Sequence, residues 1–187
     1  EAPQVIGWGD AISRGVRKGA VVDIEEAASA IREAFQKAVN HAGIKYNEAV
    51  VGIGGGNIFV RPSKGVIIVS RADREVSKED IQRALIQAEA IPASPNREIL
   101  HNLAREWIVD GERGIKDPLG MSGVKLEVDT LILECGTSAL KNLRKAVSLA
   151  GVKIKELVFS PLAASYAVLS PRQKELGTLV LDIGGST

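Results

Sequence analysis

The sequence has 187 residues, of which 45% are hydrophobic and 25% are charged, so it can supply the core of one folded domain or slightly more. Its 24 Lys and Arg residues and 23 Asp and Glu residues give a net charge of +1, which excludes an overall electrostatic preference for nucleic acid or an anionic membrane. The single cysteine, Cys135, excludes an internal disulfide and a cysteine-rich zinc site, and it is typical of the reducing cytoplasm.

The first part of the chain contains one clearly delimited helix. Residues 4–9 are predicted as the end of a strand that leads into a glycine-rich stretch. Asp23 then precedes apolar residues at the spacing of one helical face, and Glu26 stands at the reciprocal capping position. Gly43 supplies a stop signal, because glycine tolerates the left-handed conformation that ends many helices. The sequence therefore predicts a helix between Asp23 and Gly43.

Strand signals dominate the middle of the chain. Residues 49–53 and 65–70 are short β-branched runs that predict two strands. Ser77, followed three residues later by Asp80, predicts the start of a second helix, which ends before a pair of prolines. Residues 107–110 then lead into a polar, glycine-rich segment that we interpret as a long loop over residues 111–123. The next apolar residues alternate along a strand and are also apolar on its opposite face, which predicts burial on both sides.

The last part of the chain alternates between helices and strands. Thr137 or Ser138 is predicted to cap a third helix that Gly151 closes. A strand over residues 154–159, a short helix over 161–169 and a final strand over 178–182 follow. Helices alternate with strands at both ends of the chain, whereas strands dominate the middle. The pattern favours an α/β scaffold interrupted by a smaller α+β insertion.

The final strand runs into the strongest chemical signal in the chain. Asp182, Gly184, Gly185, Ser186 and Thr187 form a glycine-rich turn. Glycines let backbone N–H groups approach phosphate oxygens closely, and a carboxylate at the end of the strand could hold Mg²⁺ through water. An ordinary strand-to-turn glycine pair is the alternative interpretation, since short glycine motifs are weakly specific.

Other candidate sites are weaker. Residues 54–56 are three consecutive glycines, but the residues after them look extended rather than helical, so we interpret them as a turn instead of a phosphate loop. His41 and His101 lack the neighbours of a metal motif, and no serine occurs in a nucleophile elbow. The loop over residues 110–123 is either a recognition surface or a packed cover for the neighbouring sheet.

Three parts of the sequence carry a resemblance to a known family. They are residues 13–25; residues 97–101 with 107–111 and 114–126, which are the most specific; and residues 159–166 with 175–177 and the turn at Asp182. Together they resemble the FtsA family of bacterial cell-division proteins, which are actin-like membrane tethers for the tubulin-like FtsZ ring. The resemblance covers essentially the whole chain.

The resemblance implies an incomplete actin-like (ribonuclease H-like) α/β subdomain interrupted by an α+β insertion of the SHS2 type. Residues 1–53 then correspond to the first part of subdomain 1A, and residues 54–134 to the inserted subdomain 1C. Residues 135–187 return into subdomain 1A and stop at the second phosphate loop. The chain also begins at Glu1 without an initiator methionine, so we expect a fragment of a longer protein.

The resemblance also implies a nucleotide site. The five residues of the Asp182 turn correspond to the family's second phosphate loop, which contacts the terminal phosphates of ATP, and Asp182 to the magnesium position. Ser186 stands where a third glycine is common in the wider superfamily, so the turn is expected to differ in detail if that position needs a positive φ. The first phosphate loop and the adenosine motif are expected outside this chain, which leaves the site incomplete here.

Partners follow from the same resemblance. FtsZ and the cytoplasmic membrane are expected to bind through regions outside this chain, the latter through a C-terminal amphipathic helix, and no nucleic acid partner is expected. Subdomain 1C is expected to take part in self-association and in contacts with later division proteins. Four residues of the long loop are candidates for those contacts: Arg113, Lys116, Asp117 and Met121.

The expected role is a division scaffold on the cytoplasmic face of the inner membrane at the septum, with at most a weak ATPase activity. Two alternatives share the fold. One is an actin-like pilus-assembly protein, although the match over residues 114–126 favours division. The other is a phosphotransferase or chaperone ATPase, for which the sequence supplies no identifiable catalytic base or substrate domain.

Overall fold

A computed structural model describes residues 4–70, 72–90 and 95–184. The chain forms two compact units. The inserted unit is Ile58–Cys135, and the flanking unit consists of the residues on either side of it. The mixed α/β class that the sequence predicts is confirmed.

The described residues form eight strands and five helices. They are β1 (Val16–Arg17), β2 (Ala20–Val21), α1 (Ile24–Ala42), β3 (Glu48–Ile53), β4 (Ile58–Ile68), α2 (Lys78–Glu89), β5 (Arg97–Val109), β6 (Glu112–Ile115), β7 (Lys125–Gly136), α3 (Thr137–Leu149), β8 (Lys153–Phe159), α4 (Ser160–Val168) and α5 (Pro171–Leu176).

The flanking unit is built on a parallel pair of strands. β3 pairs with β8 in parallel, and β1 pairs with β2 in a short antiparallel hairpin. Helices α1 and α3 lie in contact with each other. Between these elements, Val147, Ala150 and Val152 are buried against the apolar faces of Phe35 and Leu143. The apolar residues that recur at helical spacing in α1 and α3 therefore form the buried faces of these helices, as the sequence predicts.

Helix α1 begins and ends where the sequence predicts. The Asp23 carboxylate accepts a hydrogen bond from the Glu26 N–H at 2.9 Å, and Gly43 ends the helix with φ 68°. The strand end predicted over residues 4–9 is wrong, because this segment forms no strand. It packs against the α1 backbone instead, and a Cβ built on Gly9 would lie 2.2 Å from the Ala34 carbonyl oxygen. The early glycines thus permit a close backbone approach.

Two other predictions for the flanking unit are wrong. Neither Thr137 nor Ser138 caps α3, because its N-cap is Gly136 and no side chain makes a capping hydrogen bond. Residues 178–182 form no strand, because no described residues supply the neighbouring ladder of hydrogen bonds that a strand requires. Helix α5 was not predicted, although Ser170 and Gln173 form its capping box and Pro171 occupies its first turn.

The inserted unit is a four-stranded sheet with one helix. The strand order is β4-β7-β5-β6, and α2 packs on β4. Its core contains Val76, Ala84, Trp107 and Leu126. Strand β7 is buried on both faces, since Leu126, Glu127 and Val128 are all less than a tenth exposed, which confirms the sequence prediction.

The predicted long loop over residues 111–123 is partly wrong. Its first residues form β6, which pairs antiparallel with β5. The turn between them is Asp110-Gly111, with φ values of 48° and 93°. An Asp-Gly pair between β-type residues is a recognised hairpin signal, because both central positions of the tight turn need positive φ. This local signal was present in the sequence and indicates the hairpin.

Helix α2 begins at the predicted capping box, which extends into a buried network. Asp80 is fully buried, and its carboxylate accepts hydrogen bonds from the N–H and Oγ of Ser77 and of Ser70. Arg83 Nη1 donates a further bond at 2.9 Å. Burial alone would raise the pKa of Asp80, but these hydrogen bonds from Ser77 and Ser70 outweigh it and hold the pKa below its ordinary 3.8.

We expect Asp80→Asn to destabilise the inserted unit at neutral pH by about 1–3 kcal/mol, because the new amide faces donors that lose their acceptor. Because folding lowers this pKa, the stabilisation by the Asp80 charge is present above pH 3.8 and is lost as pH falls through the folded-state value. As the pH is lowered below 5, the free energy of unfolding of the variant should therefore fall less than that of the parent protein. Urea unfolding followed by Trp107 fluorescence in a Trp8→Phe background measures both effects. Equal acid dependence in the two proteins would contradict the assignment.

Candidate functional site

The predicted phosphate-binding turn lies at the end of the described residues. Asp182 and Gly184 are exposed, in a segment without helix or strand. Gly185, Ser186 and Thr187 lie outside the described residues. The adjacent Leu181 and Ile183 are 73% and 87% exposed. The nucleotide role of these five residues therefore stays a prediction.

The three consecutive glycines form the turn that the sequence indicates. Residues 54–57 connect β3 to β4, so no helix N-terminus follows them. Gly55 has φ 86°, and a Cβ built on it would lie 2.4 Å from the Lys18 carbonyl oxygen in the β1–β2 turn. The glycines therefore permit contact between two turns, and the interpretation as a turn rather than a phosphate loop is confirmed.

The candidate contact loop, residues 116–124, is attached to the body of the inserted unit. Gly120 and Gly123 donate backbone hydrogen bonds to the carbonyls of Val76 and Arg74, and Val76 N–H donates to the Met121 carbonyl. Pro118 is fully buried. The loop is thus a packed cover at its base, while Leu119 and Met121 remain 45% and 38% exposed.

Asp110 fixes the other end of this loop. Its carboxylate accepts hydrogen bonds from the backbone N–H groups of Val124 at 3.0 Å and Lys125 at 2.7 Å. These bonds, first that from Lys125, hold the pKa of Asp110 below its ordinary value. The hairpin turn and the start of β7 are therefore held together by a charged side chain.

Arg113 lies in β6 and is bound within the protein. It donates hydrogen bonds to Glu106 in β5 and to Asp129 in β7, the latter at 2.8 Å. Both contacts raise the pKa of Arg113, and the hydrogen bond from Arg113 lowers the pKa of Glu106. Because its side chain is 59% exposed, Arg113 can still face a partner, but its charge is already balanced.

A second group of ion pairs lies on β4 and β7. Glu127 binds Lys64 at 2.5 Å and Lys125 at 2.6 Å, and hydrogen bonds first from Lys125 and then from Lys64 lower its pKa. Asp129, the partner of Arg113, lies directly opposite Lys64 in the register. Charges of opposite sign therefore alternate across this part of the sheet.

The structure brings the four candidate contact residues into one segment of the inserted unit. Arg113 is in β6, whereas Lys116, Asp117 and Met121 lie in the loop after it. The Asp117 carboxylate accepts the Leu119 N–H at 3.0 Å, so it shapes the loop. Glu106 and Asp129, the partners of Arg113, were not predicted. For Asp129 the sequence held one signal, the alternation of charged and apolar residues over residues 125–129 of β7, whereas the residues around Glu106 in β5 show no such alternation.

A buried carboxylate lies at the end of the inserted sheet. Glu134 in β7 accepts a hydrogen bond from Arg61 Nε at 2.7 Å and has Arg97 at 3.6 Å, with only 1% of its side chain exposed. The Arg97 guanidinium also lies 3.5 Å from the centre of the Phe59 ring. These contacts join β4, β5 and β7 at the point where the insertion begins and ends.

Metal clusters and membrane-spanning helices are both absent from the part of the chain that the structure describes. No group of three or more His, Cys, Asp or Glu side chains within those ranges could hold a metal ion. None of the helices α1–α5 is long and apolar enough to cross a membrane.

Comparison with known proteins first defines the class. A family model described as the SHS2 domain inserted in FTSA matches residues 55–133. A chain of the PilM-PilN type IV pilus biogenesis complex matches 87% of this chain and 40% of its own length, with a TM-score of 0.54 and 16% identity, which shows the fold alone. The chain has an actin-like fold with an SHS2 insertion.

Sequence relatives then identify the family. Cell division protein FtsA of Pseudomonas aeruginosa is 38% identical over 98% of this chain and 44% of its own length. The proteins of the same name from Streptococcus pneumoniae and Bacillus subtilis are 39% and 36% identical over 96% and 98% of the chain. The chain spans less than half of the length of these relatives. The resemblance to the FtsA family is confirmed, and this is a chain of the FtsA type.

Proposed function

We propose that this chain is part of a division scaffold that attaches the FtsZ ring to the cytoplasmic membrane at the septum and recruits later division proteins. The observation that carries the proposal is the similarity to FtsA proteins along 98% of the chain. The inserted SHS2 domain, over residues 55–133, supports it independently. FtsZ and the membrane would bind through other parts of the complete protein, the membrane through a C-terminal amphipathic helix.

The proposed scaffold binds ATP and magnesium. Asp182 would hold the metal ion through water, and the backbone N–H groups of the glycine turn that begins at Gly184 would contact the terminal phosphates. The nucleotide would supply control over assembly, since the chain offers no identifiable catalytic base and at most a weak ATPase activity is expected. The same proposal places the two boundaries of the inserted subdomain near residues 53–54 and 134–135.

The inserted unit would carry the contacts with division proteins and with further copies of the chain. The segment containing Arg113, Lys116, Asp117 and Met121 suits this role, because it is exposed at its tip and fixed at its base by Asp110. A fixed loop loses little conformational freedom on binding. The pilus-assembly and phosphotransferase or chaperone alternatives have only the shared fold in their favour.

A fluorescent fusion of the complete protein should form a midcell band in dividing bacteria, and the band should disappear when FtsZ is depleted. A Lys116→Glu variant should keep the band but recruit less of the later division proteins, because it reverses a charge on the proposed surface. Lys45→Glu, which reverses an exposed charge in the flanking unit, is the matched control. A diffuse or polar signal in cells with intact FtsZ rings would reject the division scaffold.

A further inference from the structure

Strand β4 has an unpaired outer edge. The order β4-β7-β5-β6 places it at one end of the inserted sheet, and none of the strands in the described ranges pairs with its outer side. An edge strand presents a row of N–H and C=O groups that can pair with another chain. At 11 residues, β4 offers a longer edge than β6 at the opposite end, which has four residues.

The hydrogen bonds at the two ends of β4 show which residues face outward. Gly136 donates to the Asn57 carbonyl at 3.1 Å, and Val69 donates to the Val124 carbonyl at 2.9 Å. Both bonds continue the β4–β7 register, which has no shift between its ends. Since bonded and non-bonded pairs alternate in an antiparallel ladder, odd-numbered residues bind β7. The even-numbered residues therefore direct their backbone groups to the open edge.

The outward positions divide β4 into a blocked part and an open part. Pro62 stands at an outward position, where its missing N–H interrupts any further ladder. Beyond it, the backbone of Lys64, Val66 and Ile68 faces the edge. The Ile68 carbonyl accepts a hydrogen bond from Arg83 Nη2 at a long 3.4 Å. Because the interruption at Pro62 lies before these residues and the Arg83 bond is long, the edge is suited to pairing over residues 64–68.

Side chains on the open part are apolar or neutralised. Val66 and Ile68 are 43% and 59% exposed, and Lys64 is paired with Glu127. Across the adjacent face, Lys64, Lys125 and Arg113 balance Glu127, Asp129 and Glu106. The face thus has no excess charge to repel an identical surface or to select a strongly charged peptide.

We propose that a second copy of this chain adds its own β4 to this edge, antiparallel and across a two-fold axis at Val66. Val66 then lies opposite the partner's Val66, and Lys64 lies opposite the partner's Ile68. All three positions direct their N–H and C=O groups outward, so the pairing is reciprocal and closes as a dimer. The inference names a surface for self-association and in that respect rests on the proposed function.

Cysteine cross-linking of the full chain tests this register. Val66→Cys places two cysteines opposite each other, with Cα atoms about 5.5 Å apart in a bonded antiparallel pair, which is within the range of a disulfide. Val60→Cys is the matched control, because Val60 is 57% exposed on the same strand and also at an outward position. Its two copies would lie about 40 Å apart. The native Cys135 is fully buried.

We expect mild oxidation to convert Val66→Cys to a covalent dimer about tenfold faster than Val60→Cys, because only the first pair meets disulfide geometry. Val66→Lys places like charges opposite each other, so it should abolish the concentration-dependent dimer in sedimentation, whereas Val60→Lys should retain it. Equal cross-linking of the two cysteines, or a Val66→Lys protein that still dimerises, would overturn the proposal.

A chain that stays monomeric at all concentrations would overturn it as well. These measurements use purified protein, whereas the proposed function is tested by FtsZ-dependent localisation in cells. A midcell band together with a failed cross-link rejects the β4 pairing alone.

Discussion

Substitution of Gly65 in β4 by alanine should strongly destabilise the inserted unit. Helix α2 crosses β4 so closely that a Cβ on Gly65 would lie 1.9 Å from the Ala84 carbonyl oxygen and 3.0 Å from the Ala88 nitrogen. Both alanines are fully buried, so the helix has no room to retreat without opening the core. The obstacle is backbone rather than a flexible side chain.

The expected loss for Gly65→Ala is about 3 kcal/mol, at the upper end of the usual cost of overpacking. That loss corresponds to a fall in melting temperature of about 10 °C. A loss of stability is informative, because alanine in a strand is normally favoured over glycine by about 0.5–1 kcal/mol. Urea and thermal unfolding, followed by the fluorescence of the buried Trp107 in a Trp8→Phe background, measure the loss.

Gly56→Ala is the matched control for this experiment. Gly56 lies in the turn before β4, and a Cβ built there has no neighbour within 4 Å. It should change the stability by no more than about 0.5 kcal/mol, as expected for a substitution away from special contacts. If both variants unfold at the same urea concentration, the close approach of α2 to Gly65 does not exist in solution.

Removal of the Glu134 carboxylate should produce a loss of similar size for an electrostatic reason. In Glu134→Ala the Arg61 guanidinium, whose side chain is only 20% exposed, keeps its place but loses its bound carboxylate. Breaking a buried ion pair by removing one partner typically costs about 3–5 kcal/mol. Glu134→Gln retains an acceptor oxygen for Arg61 Nε, so we expect a smaller loss.

The chain supplies a control with almost the same ion-pair distance. Glu33 binds Lys37 at 2.8 Å, against 2.7 Å for Glu134 and Arg61, but the side chains of Glu33 and Lys37 are more than half exposed. Because water already solvates exposed charges, Glu33→Ala should leave the unfolding midpoint unchanged. The double variant Glu134→Leu with Arg61→Met should recover part of the loss. Equal effects of Glu134→Ala and Glu33→Ala would show that Glu134 is solvated in the native protein.

Several features of the fold were predictable because their causes are local. Asp23 and Glu26 delimit α1, and Ser77 and Asp80 delimit α2, through contacts between residues three apart in the sequence. The Asp-Gly turn at Asp110 also had a local signal, which indicates a hairpin where we expected a loop. Predictions failed where a strand-like stretch of sequence has no neighbouring strand to pair with among the described residues, as over residues 178–182.

The candidate site likewise has features that the sequence indicated and features that it did not. The sequence indicated the exposed segment with Arg113 and Lys116, but the partners of Arg113 lie 7 and 16 residues away along the chain. Long-range ion pairs of this kind depend on the strand order, which periodicity does not encode. The nucleotide role of Asp182 and the glycine turn remains a prediction from the family resemblance.

The sequence by itself determined the α/β class, helices α1 and α2 with their caps, the presence of an insertion and the FtsA family, because periodicity and motifs are properties of neighbouring residues. The tertiary structure alone decided the sheet order, the contact of Gly65 with α2, the burial of Glu134 and the open edge of β4. Each of these depends on which distant segments meet, and the free energy of that choice comes from packing and pairing between elements rather than within them.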